Sequence, residues 1–276
     1  MKSSNLGNWR RTRRHVLAAG GLMAGAALSQ FGIGKANAGG PGGPGGGPGG
    51  PSGGPGGPGG PRGHACLLRG SRLMTSKGER KIEDVRIGDL LMTLSGEAKP
   101  IQWIGRRVYK RSNGCSFPRD ILPVRVAKGA LAADVPRRDL FVSLHHALWL
   151  DGLLIQAMDL INGSSVSLHS AAELSEIEYL HVRLARHDVI FAEGATSETL
   201  LVHSGNVERF DNFAEYLRLF SENNAEEAAC APTMIESGRD RFCSRLRSAV
   251  SPWIDYRNKY DKVRDRIEER AYAVEF

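Results

Sequence analysis

The stretch Cys66-Leu67-Leu68-Arg69-Gly70-Ser71-Arg72-Leu73-Met74-Thr75, followed by Gly78 and then Ile82-Glu83-Asp84-Val85-Arg86-Ile87-Gly88-Asp89, opens the part of the chain that can build a core. Its grammar is short apolar runs broken by turn chemistry. The same grammar continues at Leu90 to Leu94 before Ser95-Gly96, at Ile101 to Tyr109, at Pro123 to Val126 and at Leu140 to Leu144. Many short runs at close spacing predict an all-β body. Leu180, Val182 and Leu184 alternate with His181, Arg183 and Ala185, the period-two pattern of a strand with one buried face. From Val207 the period lengthens, with Phe210, Phe213, Leu217 and Phe220 at helical spacing. Asp240 to Tyr272 is helical in period again and is interrupted at Pro252. These helices either pack on the β body or form a loose appendage; the pattern is compatible with both.

Upstream of Cys66 the composition changes twice. Of the 34 glycines, 16 lie between Gly39 and Gly63, beside seven of the 13 prolines. Such a Gly-Gly-Pro repeat has no side chains to bury, so ordering it costs entropy with nothing to offset it. Residues 39–65 are therefore read as a flexible tether; the slips at Gly47 and Ser52 disfavour a collagen-like helix. Residues 1–38 carry six of the 37 Lys and Arg and no Asp or Glu, so the formal charge of +7 falls to 31 against 30 in the remainder. A near-neutral body disfavours a nucleic-acid binder working through a basic surface.

Arg10 to His15, the weakly apolar run to Gly34 and Ala36-Asn37-Ala38 form the three parts of a cleavable export signal, with the cut after Ala38. Thr12-Arg13-Arg14-His15-Val16-Leu17 resembles the twin-arginine signal of bacteria, which makes the twin-arginine export machinery the expected partner of Arg13 and Arg14. The resemblance implies a periplasmic or extracellular protein with no permanent membrane span after processing. The alternative is an uncleaved anchor, since His15 to Gly34 could span about 30 Å as a helix.

Three blocks carry a second resemblance. The opening run from Cys66, the segment Arg138-Asp139-Leu140-Phe141-Val142-Ser143-Leu144-His145-His146, and His187-Asp188-Val189-Ile190-Phe191-Ala192-Glu193-Gly194 stand in the order found in Hint domains, the Hedgehog and intein self-processing family. The wording around Trp103-Ile104-Gly105, Arg138-Asp139-Leu140 and Ala192-Glu193-Gly194 is similar to the bacterial branch. The resemblance implies a horseshoe-like all-β Hint domain over 66–210, and the helical period beyond it makes 211–276 a helical C-terminal extension. It also implies an N–S acyl shift at Ala65-Cys66, in which the chain's own N-terminal segment is the cis substrate and no cofactor is needed. Cys66 would be the nucleophile. An amide has a poor leaving group, so its nitrogen must be protonated and the oxyanion steadied. His146 would supply that proton, Ser143 would bond to the scissile region, His187 would assist from the opposite side, and Asp188 is a weaker candidate to orient a group there.

The plain structural readings stay open: Cys66 as a buried cysteine at a strand start, His146 as a turn histidine, His187 as a strand end. On an extended strand His145 and His146 would point to opposite faces, and only His146 has the Ser143-x-x-His spacing. No His-Asn pair follows Gly194, so full splicing is not expected, and nothing identifies a sterol-binding region. A metal-dependent hydrolase built on His145, His146, His169, His181, His187 and His203 lacks any converging spacing, so no metal ligands are assigned. A non-catalytic secreted interaction module is the other rival. Four cysteines permit disulfides after export; Cys230 and Cys243 are the natural pair, and Cys66 must stay reduced to act.

Overall fold

The computed structural model describes residues 65–112, 115–203, 205–220, 228–231, 233–234, 238–252, 255 and 257–274. The export-signal readings at Arg13, Arg14 and Ala38, and the tether up to His64, lie outside the described residues. The remainder is an all-β body with three helices among the described residues, as expected.

Its strands run β1 (Leu67–Leu68), β2 (Arg72–Thr75), β3 (Gly78–Lys81), β4 (Leu90–Met92), β5 (Ala98–Pro100), β6 (Trp103–Lys110) and β7 (Val124–Val126). They continue with β8 (Leu140–Val142), β9 (Ala147–Leu150), β10 (Leu153–Gln156), β11 (Val166–Leu168), β12 (Glu176–Arg183), β13 (Val189–Ala192), β14 (Ala195–Glu198) and β15 (Thr233–Met234). One sheet has the order β11-β7-β8-β1-β12-β6 and the other β15-β10-β9-β14-β13-β2-β4-β5, with β3 beside β2. All pairings are antiparallel except β10 with β15. Among the described residues the chain changes sheets five times, between β1 and β2, β5 and β6, β8 and β9, β10 and β11, and β12 and β13. His146 lies in the β8–β9 crossing and His187 in the β12–β13 crossing, while Cys66 directly precedes β1.

Two of the sequence blocks that carry the resemblance serve as structural pins. Glu193 and Gly194 both have positive φ, 50° and 82°, and form the two-residue turn of the β13-β14 hairpin. The Glu193 carboxylate then accepts from Arg72 N at 2.7 Å and Arg138 Nε at 2.7 Å. Asp139 likewise accepts from Arg125 Nε and Lys128 N.

The expected half-buried strand, β12, is buried on both faces from Ile177 to Arg183. Leu180 and Val182 enter the principal core with Leu67, Val142 and Leu148. Ile177 and Tyr179 face a second cluster with Trp103, Phe210 and Tyr216. The covering element is helix α1 (Phe213–Phe220), whose Phe220 ring lies 4.0 Å from the Arg183 guanidinium carbon. The face that alternation assigned to solvent is thus roofed by aromatic rings from later in the chain. On α1 the buried residue is Tyr216, edge-on to Trp103 at 5.0 Å, whereas Leu217 is 41% exposed. Gly105 admits this packing, because a Cβ there would meet the Phe210 ring at 2.7 Å.

Helices α2 (Gly238–Val250) and α3 (Lys259–Val274) flank the break at Pro252. Asn258 and Asp261 cap α3 reciprocally, each accepting from the other's backbone N–H at 2.9 and 3.0 Å. Asp261 also holds Arg247 of α2 at 2.6 Å. Tyr260, Val263 and Ile267 of α3 are members of the principal core, so α3 packs on the β body and is not a loose appendage.

Candidate functional site

Cys66 sits just before β1, the strand flanked by β8 and β12 in the first sheet. Its neighbour on β8 continues the ladder beyond Val142: Ser143 N donates to Cys66 O at 2.9 Å, and Cys66 N donates to Ser143 Oγ at 2.8 Å. The nitrogen of the Ala65-Cys66 peptide is therefore fixed by the Ser143 hydroxyl. The Ser143-x-x-His146 spacing is a β-turn, closed by His146 N donating to Ser143 O at 3.1 Å. His145 and His146 lie at this turn and not on an extended strand, which corrects the reason given for separating them. His145 Nδ1 faces Gln156 Oε1 at 3.1 Å, and His146 turns inward with no exposure.

His146 Nε2 lies 2.6 Å from Ser197 Oγ on β14, and its Nδ1 has no hydrogen-bond partner among the described residues. Burial drives the ring down to a pKa of about 4; the nearby Glu198 opposes this and His187 adds to it. At neutral pH His146 is an uncharged imidazole. Next along β14, Glu198 accepts from Ala147 N at 2.7 Å through Oε1 and faces His187 Nε2 at 3.5 Å through Oε2. His187 Nδ1 accepts from Cys230 N at 3.0 Å. Burial alone would lower the His187 pKa, but the side chains of Cys230 and Glu198, through hydrogen bonding and charge, outweigh it and carry it up to about 9. A neutral ring satisfies the Cys230 N–H through the Nδ1 lone pair, and protonation exchanges that bond for a charge held against Glu198. Two histidines a short path apart are thus pushed in opposite directions.

The Cys66 thiol is fully buried, and burial followed by the Glu198 charge holds it well above the usual thiol range. Tyr109 and Tyr179 are raised too, by burial first, with Cys66 contributing to both. The structure brings Cys66, Ser143, His146 and His187 together. It does not bring Asp188, whose carboxylate binds Lys99 Nζ at 2.8 Å and Val189 N at 2.7 Å.

Sequence reasoning missed Ser197 and Glu198, which link the two histidines, and weighed His181, whose ring stands 5.2 Å from that of His146, only as a metal ligand. The available signal was a polar pair on the strand directly after the Glu193-Gly194 turn. It also missed Cys230. The expected Cys230–Cys243 bridge is absent: all four cysteines are free. Among the described residues no group of three or more His, Cys, Asp or Glu is arranged to hold a metal ion. No helix among them is long and apolar enough to cross a membrane.

A family model described as Hint domain matches residues 65–204. No curated protein matches the chain. Among solved structures, the gp41-1 intein is 10% identical with a TM-score of 0.33, covering 48% of this chain and 98% of its own. A DnaB intein from Synechocystis sp. is 10% identical with a TM-score of 0.33, covering 49% and 98%. A bacterial intein-like domain from Clostridium thermocellum is 14% identical with a TM-score of 0.34, covering 49% and 96%.

Proposed function

The chain belongs to the Hint domain family, and on that premise we propose that it processes itself through an N–S acyl shift at Ala65-Cys66. The thiol sulfur of Cys66 attacks the Ala65 carbonyl carbon; the new C–S bond forms, the C–N bond breaks, and the thiol proton ends on the freed Cys66 nitrogen. The observation that carries this reading is the 2.8 Å bond from Cys66 N to Ser143 Oγ, which fixes the leaving nitrogen next to the turn that bears His146. A buried thiol above its usual range needs a base beside it. A neutral His146 with an unpartnered Nδ1 suits a shuttle that takes that proton and delivers it to the nitrogen. Protonated His187 paired with Glu198 supplies positive charge near the developing negative charge. Full splicing stays outside the proposal, because no His-Asn pair follows Gly194.

The wider reading places the protein in the bacterial branch. It is exported by the twin-arginine machinery through Arg13 and Arg14, cut after Ala38, and left periplasmic or extracellular with residues 39–65 as its own substrate. Cleavage before export would separate the domain from its signal, so processing follows export in this reading.

One observation favours the rival of a non-catalytic interaction module. A fully buried, protonated thiol is the usual state of a structural cysteine. Intact mass separates the two. Hydroxylamine or a strong thiol should liberate a domain beginning at Cys66; Cys66→Ala should abolish that product, and His146→Ala should slow it by about 10² to 10⁴. A folded wild-type protein that stays whole over days in hydroxylamine leaves the interaction module as the function.

A further inference from the structure

Ser197 is a polar residue at a core position. On β14 it follows Ala195 by two residues, so both side chains take the same face, and Ala195 belongs to the principal core. Ser197 has no exposure, and its backbone is held on both sides, opposite Ile190 of β13 and bridged to Leu148 of β9. A hydroxyl buried at such a place costs its desolvation unless it makes a hydrogen bond. The bond that Ser197 makes is to His146 Nε2, at 2.6 Å. The next residue, Glu198, accepts from Ala147 N at 2.7 Å. Two consecutive residues of β14 thus hold two consecutive residues at the end of the Ser143–His146 turn. The His181 ring, 5.2 Å from the imidazole and tilted by 57°, flanks it.

We propose that Ser197 is a positioning residue, whose hydroxyl oxygen accepts the Nε2–H of His146 and so leaves the Nδ1 lone pair as the working nitrogen of the ring. This rests on the acyl-shift reading above. A neutral imidazole has two tautomers. In the first, Nε2–H donates to Ser197 Oγ and Nδ1 is a lone pair; in the second, the hydroxyl donates to Nε2 and the hydrogen sits on Nδ1. Nδ1 is buried with no partner among the described residues. A hydrogen there would be a donor fixed in direction with nothing to accept it, and orphaned buried N–H groups are rare. The hydroxyl hydrogen left over in the first tautomer rotates to suit its surroundings. The second tautomer is also idle in the shift, because Nδ1 carries a hydrogen and Nε2 is occupied, so no lone pair is open to the thiol proton. In the first, the proton passes from Cys66 Sγ to Nδ1 and from Nδ1 to the freed Cys66 nitrogen, while Nε2–H stays on Ser197 Oγ through both steps. That side of the ring needs no reorganisation. A carboxylate in place of Ser197 would favour the charged ring; a neutral hydroxyl suits a ring that begins and ends the shift uncharged.

Nitrogen NMR of the full chain with 15N-labelled histidine reads the tautomer, because ring nitrogens with a hydrogen and with a lone pair resonate far apart. At pH 7 His146 is neutral, and its signals are identified by their loss in His146→Gln. The wild type should show a hydrogen on Nε2 and a bare Nδ1. Ser197→Ala leaves both nitrogens without a partner, so the ring should become a mixture of tautomers. Its hydroxylamine release should slow by about 3- to 10-fold, the size of one neutral hydrogen bond. Ser197→Thr, which keeps the hydroxyl, should restore both readouts. The wild-type spectrum stands even where a variant fails to fold. A wild-type ring with its hydrogen on Nδ1 overturns the proposal, whatever the release rates. An unchanged His146 spectrum in Ser197→Ala overturns it too, as does a changed spectrum with an unchanged release rate. Spectra as expected with no release from any variant overturn the acyl shift itself, and Ser197 is then the partner of a structural histidine.

Discussion

Residues 65–204 supply every described strand but β15 and the Cys66, Ser143 and His146 end of the site, whereas the described residues from 205 onward are mostly helical. The later segment nevertheless places Tyr260, Val263 and Ile267 in the principal core, Phe210 and Tyr216 against Trp103, and Cys230 on His187. The two regions also differ at their histidines. The His146 ring meets Ser197 and His181 and burial keeps it neutral, while His187 meets the later segment and is pulled towards the charged form. The family match and the hydrophobic core therefore end at different places. A boundary drawn where strand patterning stops cuts through shared packing.

Truncation gives the largest expected effect. The expected domain boundary would have residues 66–210 fold alone, but that fragment lacks three buried α3 side chains. Each such side chain contributes about 1.5–3 kcal/mol on burial, against a total stability of about 5–15 kcal/mol for an ordinary domain. Circular dichroism melts should show a cooperative transition for residues 65–276 and a broad or absent one for 66–210. Equal melting of the two would restore the boundary at Phe210 and reduce α3 to an attachment.

What the sequence made legible is local. Strand runs, the two-residue turn at Glu193-Gly194 and the Ser143-x-x-His146 spacing lie within a few residues of one another, and the three blocks located Cys66, Ser143, His146 and His187. What stayed hidden depends on contacts between distant segments. Ser197 reaches His146 across 51 positions and Cys230 reaches His187 across 43. Pairing Cys230 with Cys243 followed nearness in the chain, and β15 carries Cys230 away to the second sheet. The second face of β12 reads as exposed because Tyr216 and Phe220, which cover it, follow more than one turn and a strand pair later.

The histidine contrast predicts a narrow pH range of greatest stability. His146 has a folded pKa of about 4, below its unfolded value near 6.5. Its contribution is complete above that unfolded value and is lost as pH falls through about 4. His187 has a folded pKa of about 9, so its contribution is complete below the unfolded value and is lost as pH rises through about 9. Urea midpoints should therefore peak near the shared unfolded value and decline on both sides. Cys230→Ala should flatten the alkaline limb and leave the acid limb in place, because only His187 touches the later segment. An alkaline limb unchanged in that variant would mean that Glu198 alone sustains the His187 charge.

The smallest expected effect concerns how far α3 reaches towards the Ser143–His146 turn. Tyr260 is 1% exposed and its hydroxyl donates to Asp159 O at 2.9 Å. Asp159 belongs to the 3-10 turn Ala157–Leu160, whose first two N–H groups hold the far side of the Ser143–His146 turn. Ala157 N donates to His146 O and Met158 N to Leu144 O, both at 2.9 Å. Tyr260→Phe keeps the ring in the core and removes only the hydroxyl, at a cost of about 0.5–1.5 kcal/mol for one hydrogen bond. A loss of that size by urea titration is expected, together with a modest slowing of hydroxylamine release as the turn loosens. The second readout decides the meaning of the first. Lower stability with an unchanged release rate would show that α3 supports the core without positioning His146, and the two regions would then share packing but not chemistry at that end of the site.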